Sequence, residues 1–406
     1  MRGDDASMAV TLGGVTLVDG GGRQRAPLHL RGGTIAAQGT THDFRLDLRD
    51  HLVFPGLVNA HEHLQVNNVP PLPGERTFPH AYAWIDAFQA HFAEPAVVEA
   101  LAVPKAQRMR HGALKNLLAG ATFVVHHDPW HAALDAADFP VTLLRGHGWS
   151  YTLNGPDYGP PVEQSFAATP PDRPWMIHLA EGTDAIAAAE LGELDRRGCL
   201  AANSVLVHGV GLREQDIERV LAVGAAVVWC PGSNRRLLGR SLDPRRLHAA
   251  GRLAVGSDSR LSGERDLLEE LRLARQRRDL DAASLLALAT THAARILRLA
   301  DRGSLAVGNV ADLVIVRDRG GDAAGNLVGQ SRADLRAVIR NGVPRVADPD
   351  FADWFAAAGI DTVMATLDGT TKLLASDLAD PALLAMEPGL IAVGDAHTKH
   401  STERVA

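Results

Sequence analysis

Between residues 52 and 302 short apolar runs alternate with longer stretches in which apolar residues recur at helical spacing. The runs fall at 52–58, 121–125, 141–144, 175–177, 205–207, 225–229 and 253–255. The clearest helical stretch is 264–278, where Leu267, Leu268, Leu271 and Leu273 or Ala274 recur among charges. Strands alternating with amphipathic helices predict an α/β fold with a parallel sheet, in the form of a (β/α)8-like TIM barrel. Only seven runs are visible. Residues 150–174 carry Gly155-Pro156, Gly159-Pro160-Pro161 and Pro170-Pro171, which suit loops better than a buried strand, so the barrel is expected to be distorted or to lack its fourth strand.

The two ends of the chain have a different texture. Residues 8 to about 50 break into short apolar stretches between Gly13-Gly14, Gly20-Gly21-Gly22 and Gly32-Gly33, a pattern of short antiparallel strands. A similar texture returns at 303–316 and 337–343. Neither piece has enough strands to bury a core alone. The expected organisation is therefore a small composite β-sandwich domain from 8–51 and 303–347, with the metal-binding α/β barrel, 52–302, inserted between them. Residues 348–406 read as a C-terminal tail with short helices near 351–358 and 381–386, and its polar last dozen residues are expected to fray.

Composition narrows the class of partner. Forty-one basic residues against 48 acidic ones give a net charge of −7, with no basic stripe, so neither nucleic acid nor a membrane is an expected partner. The first nine residues are polar, and no segment approaches ~18 continuous apolar residues. Two cysteines, Cys199 and Cys230, are too few for a disulfide framework, and a cytoplasmic location is expected. A homodimer is the default oligomer on base rates.

Chemistry enters at the ends of the apolar runs. The first ends in Asn59-Ala60-His61-Glu62-His63, and residues two apart on an extended chain project to the same side, so both imidazoles can reach one metal ion. Later runs close on His178, followed three residues on by Glu181, then on His208, and on Gly256-Ser257-Asp258. A parallel barrel gathers all such ends at one face. Three imidazoles and a carboxylate suit one divalent metal: Zn²⁺, or Fe²⁺ or Mn²⁺ in a larger site. Any one of these residues alone is a common core or turn residue; the ordered set is what points to a metal.

These segments, together with Cys230-Pro231-Gly232-Ser233-Asn234 and Ala311-Asp312-Leu313-Val314, resemble the amidohydrolase superfamily. The likeness is greatest to the branch of the cytosine, guanine and S-adenosylhomocysteine deaminases, triazine hydrolases and imidazolonepropionase. The resemblance implies that His61, His63, His178 and Asp258 hold the metal. It further implies that Glu181 moves protons, that His208 faces the substrate, and that Asp258 takes a proton from the attacking water. Two-metal relatives bridge their ions through a modified lysine on the fourth strand, and no lysine closes a run here, so a single ion is expected. The implied activity is hydrolysis of a C–N bond in a small heterocycle, as a deaminase or a cyclic amide or amidine hydrolase. Hydrolytic dehalogenation at a ring carbon, or a non-catalytic binding relative, is the alternative.

For the substrate, the loops 126–131 and 145–151 are rich in imidazole and indole. His127, Trp130, His147 and Trp149 are expected to line the mouth, with the indoles stacking on a flat ring. Asn234 would bond a ring substituent and Arg260 a carboxylate or polar edge. The stretch Asp258-Ser259-Arg260-Leu261-Ser262-Gly263 departs from the Gly- and Asn-bearing loop of those deaminases, so a purine or cytosine substrate does not follow from the likeness.

Overall fold

The computed structural model describes residues 8–20, 22–155 and 158–393, and shows a mixed α/β fold. The polar stretch 394–406, expected to fray, lies outside the described residues. Two all-parallel sheets carry the centre of the chain. One has the order Thr142–Leu143, Ala121–His126, Leu57–Glu62. The other runs Gly148–Thr152, Trp175–Leu179, Ser204–His208, Ala226–Trp229, Leu253–Val255. Their strands are buried on both faces over most of their length, hence the continuous apolar runs. Alternate residues, among them Val58, Ala60, Phe123, Val125, Met176, Val205, Val207, Val228 and Ala254, meet in one enclosed cluster.

The two parallel sheets approach each other where Leu253–Val255 ends beside Leu57–Glu62. Asp258 N donates to His61 O at 3.1 Å there, and Ser257 N to Asn59 Oδ1 at 3.0 Å. Gly256 permits this approach, because a Cβ would fall 2.6 Å from that of His61.

Two expectations need correction. An eighth parallel strand exists, Gly148–Thr152, paired with Trp175–Leu179 through an irregular register. Its residues Gly-Trp-Ser-Tyr-Thr are only partly buried, so hydrophobic patterning does not reveal it. The apolar run 52–58 is two strands rather than one: His51–Pro55 joins an antiparallel neighbour, Leu313–Arg317, and Leu57–Glu62 joins the parallel sheet. Glycine is required between them, since a Cβ at Gly56 would meet Thr122 Oγ1 at 2.3 Å.

Strands from both ends of the described chain pair with one another. A nine-stranded sheet has Leu313–Arg317 between His51–Pro55 and Ala337–Arg340, and a four-stranded sheet is built from residues 10–47. Val10, Leu12, Leu30, Phe54, Ile315 and Ile339 share one core with them. Short helices occur at Ala352–Ala357 and Pro381–Met386 as expected. The hairpin Thr362–Leu367 and Thr370–Ala375, not foreseen, extends the nine-stranded sheet through Val346 and Leu374. Among the described residues no helix is long and apolar enough to cross a membrane, and both cysteines are free and buried.

Candidate metal centre

Because the eight strands are parallel, their C-terminal ends open on one side, and the residues that close the apolar runs meet there. His178 Nε2 lies 3.2 Å from His61 Nε2 and 3.3 Å from His63 Nε2. Asp258 Oδ1 stands 3.8 Å from His61 Nε2 and 3.6 Å from His63 Nε2. Ligand atoms at ~2.0–2.2 Å from a tetrahedral ion are separated by roughly 3.3–3.6 Å, so this spacing fits one ion of zinc's size.

The outer nitrogens make the fit chemical as well as metric. His63 Nδ1 is 2.6 Å from Asp128 Oδ2, and His178 Nδ1 is 2.7 Å from the Tyr151 carbonyl. His61 Nδ1 faces His127 Nδ1 at 3.3 Å, and His127 Nε2 reaches the Ser150 carbonyl at 3.0 Å. With each acceptor taking an Nδ1–H, directly or through His127, the neutral form of each imidazole turns its Nε2 lone pair toward the same point. Asp258 is fixed likewise: Ser233 and Ser262 hydroxyls each donate to Oδ2 at 2.8 Å, and Ser259 N donates to Oδ1 at 2.9 Å. Left-handed backbone concentrates here, with φ of +51° at Ala180, +75° at His208 and +55° at Asp258.

Burial, reinforced by neighbouring imidazoles, pushes His61 and His127 well below the usual histidine range, and His178 is lowered for the same reasons. Neutral imidazole is the ligand form. His63 moves the other way, up to about 9: burial lowers it, but the carboxylates of Asp128 and Asp258 outweigh that. Those carboxylates favour positive charge at the centre. Asp258 is lowered, since burial's upward push is exceeded by His63, His208 and the two serines.

Beside these four residues, Glu181 Oε2 faces His208 Nε2 at 3.6 Å. Burial raises the Glu181 pKa, with His208 opposing and Asp258 adding. His208 Nδ1 is held by Asn234 Oδ1 at 2.8 Å. His61, His63, His178, Glu181, His208 and Asp258 are thus brought together.

The six residues expected to meet the substrate, four of them at the mouth, are placed otherwise. A cavity of about 400 Å³ opens on the centre, and none of them lines it. His127 is fully buried behind His61 and His178, its ring stacked on His178 at 4.4 Å. Trp130 is 41% exposed, bonded through Nε1 to Asp135 and covered by Arg145. His147 and Trp149 border a separate hollow with Trp130. Asn234 serves His208, and both guanidinium arms of Arg260 are taken by Glu387, at 2.6 and 2.9 Å. Loops rich in aromatic residues marked the right rim, but the backbone turned their side chains outward or into the core.

Two functional neighbours were missed. Asp128 lies in the singled-out 126–131 loop, and its carboxylate orients His63 and accepts from Tyr158 Oη at 2.7 Å. Glu62, between the two ligand histidines, is fully buried and paired with Lys115 Nζ at 2.6 Å, with Asn116, Ser257 and Asn67 around it.

Residues 165–369, just over half of the chain, match the Amidohydrolase family, and the chain belongs to that family. It is 46% identical over 85 residues to an aminodeoxyfutalosine deaminase of Deinococcus radiodurans, covering 20% of each chain. With a 5-methylthioadenosine/S-adenosylhomocysteine deaminase of Pyrococcus abyssi it shares 32% over 108 residues, 24% of this chain and 25% of that one. These matched stretches span no more than about a quarter of the relatives' lengths. Among solved structures, an adenosine deaminase from Xanthomonas campestris with bound zinc superimposes with a TM-score of 0.66 at 22% identity, over 87% of this chain and 97% of that one. A zinc complex of the atrazine chlorohydrolase of Arthrobacter aurescens gives 0.66 at 20% identity, over 86% and 100%. At such identities the likeness is one of fold.

Proposed function

We propose that this chain is a cytoplasmic, zinc-dependent hydrolase that breaks a C–N bond in a small heterocycle, as a deaminase or a cyclic amide or amidine hydrolase. The observation that carries this reading is the convergence of His61, His63 and His178 Nε2 with Asp258 Oδ1, beside a buried Glu181. In this reading the eight parallel strands form a (β/α)8 barrel with two open seams. Residues from both chain ends build a β domain around His51–Pro55 and Leu313–Arg317, and the C-terminal residues pack onto both.

When bound at the four ligands, the ion supplies Lewis acidity and brings the pKa of water toward ~7. The chain's own residues do the rest. Asp258 Oδ1, the one carboxylate oxygen not held by a serine hydroxyl, accepts the proton of the attacking water. Glu181, whose pKa burial raises, delivers a proton to the leaving nitrogen, which could not depart as an anion. His208, aimed by Asn234, presents Nε2 to the polar atom on the reacting carbon.

The test is metal analysis with ammonia release from aminopurines, aminopyrimidines and aminotriazines, and ring opening of cyclic amides. One zinc per chain and ammonia or ring opening from at least one class are expected. A zinc-loaded protein inert toward all of them, or one that releases only chloride from chlorotriazines, would overturn the proposal.

A further inference from the structure

Resting on that reading of the centre, we infer that the cavity selects a neutral heterocycle carrying an uncharged, apolar arm, and rejects anionic substrates. Three features of the cavity lead there.

The first is its wall. The helix Ala81–His91 presents Trp84 and Phe88 on one face, with Phe92 one further turn along. Their spacing of four residues lets the rings stack in sequence: Trp84 on Phe88 at 5.6 Å, nearly parallel, and Phe88 against Phe92 at 4.6 Å, edge to face. Phe88 and Leu261 belong to an apolar cluster separate from the main core, Leu237 to another, and Trp84 packs against both. Together with Ile85 these side chains make a continuous apolar surface in the cavity that also holds His63, Glu181 and Asp258. A volume of about 400 Å³ lies within the ~300–1,000 Å³ range of small-molecule sites.

The second is charge. Among the described residues no lysine or arginine lines this cavity. Its carboxylates are Asp128, Glu181 and Asp258, all at the metal end. A phosphate or carboxylate on the substrate would lose its hydration without a cationic partner and meet either an apolar wall or like charge. The third is the neutral polar atoms. Gln65 and Thr152 line the cavity, and Gln65 Oε1 and Thr152 Oγ1, shielded within the wall, have no hydrogen-bond partner among the described residues. Unpaired polar atoms of this kind are normally satisfied, and a rotation of either side chain would bring a neutral hydrogen-bonding group to an uncharged ring.

Burying an aryl group is worth ~1.5–3 kcal/mol, roughly ten- to a hundredfold in affinity. The experiment measures calorimetric binding to the zinc-loaded protein of three product-like probes with no amino group to lose: pyrimidin-2-one, 4-phenylpyrimidin-2-one and 4-(4-carboxyphenyl)pyrimidin-2-one. The phenyl compound is expected to bind at least about tenfold more tightly than the unsubstituted ring, and the carboxyphenyl compound no better than it. The preference should collapse in Phe88→Ala and Trp84→Ala with zinc content unchanged; where either variant fails to fold, Phe88→Leu should narrow it. Tight binding of the carboxylate, a preference that survives these substitutions, or no binding of any probe would overturn the inference. None of these outcomes bears on ammonia release, so its failure is distinguishable from failure of the proposed hydrolysis.

Discussion

Asp128 determines which nitrogen of His63 is free. Its carboxylate, 2.6 Å from Nδ1, retains the proton there and turns the Nε2 lone pair toward the centre. An outer partner of this kind typically contributes 10–100-fold to metal affinity. Asp128→Ala should therefore weaken zinc binding about 10–100-fold in a competition titration with a chelator, while leaving the far-ultraviolet circular dichroism unchanged. Unaltered affinity would mean that the contact has no orienting role. Glu181 predicts the opposite pattern, since it is not among the converging ligand atoms. Glu181→Gln should keep one zinc per chain and lower kcat by ~10²–10⁴-fold, the usual loss for a positioned proton donor. Loss of zinc in that variant would reassign the residue. At this scale the sequence was readable where chemistry sat at a strand end. His61, His63, His178, His208 and Asp258 each close an apolar run, so a periodic pattern points at them. Asp128 and Glu62 orient or surround the ligands through contacts from separate loops and helices, and no local spacing encodes that.

Single elements act on the centre through their backbones. The strand Gly148–Thr152, invisible to hydrophobic patterning, supplies the Ser150 and Tyr151 carbonyls that receive His127 and His178. Any sequence able to hold an extended conformation could supply them, which is why side-chain pattern failed there. The helices and apolar strands were legible because burial on both faces constrains their composition. The loop after Asp258 is held by another hidden element, the segment following Pro381–Met386. Glu387, 2% exposed, accepts from both arms of Arg260, from Arg332 and from His111. Arg260 N in turn donates to Asn67 Oδ1 at 3.1 Å, and Asn67 to Glu62. Burial alone would raise the Glu387 carboxyl, but His111 and the two arginines hold it well below the usual carboxylate range. A carboxylate depressed on folding stabilises the protein above the unfolded pKa of ~4.3 and ceases to do so as pH falls toward the folded value. Glu387→Gln should cost about 3–5 kcal/mol near pH 7, because buried cations lose their counter-charge. The gap between wild-type and variant in denaturant titrations should narrow as pH is lowered from 6 to below 4. A gap constant with pH would show that the ion pairs contribute nothing.

At the scale of the whole molecule, one core links what look like separate pieces. Buried residues from Val10 through Phe54, Trp175, Leu271 and Ile315 to Leu390 form a single apolar cluster, so neither the first strands nor the residues up to Leu390 are appendages. The consequence concerns residues beyond Ala347. Val343–Ala347 pairs on one side with Ala337–Arg340 and on the other with Thr370–Ala375. Ending the chain at Ala347 would expose that second edge as an unpaired strand, a template for association with other chains. It would also remove Trp354, Phe355 and Leu374, all buried, and withdraw Glu387 from Arg260, Arg332 and His111 at once. Two guanidinium groups, Arg260 and Arg332, would then lose their common counter-charge. Buried charge without a partner and an open sheet edge act in the same direction, and the loop affected is the one that carries Asp258. The truncated chain is expected to aggregate or to purify without stoichiometric zinc, read by size-exclusion chromatography and metal analysis. A monodisperse, zinc-loaded product would show that the centre is held by the parallel strands alone.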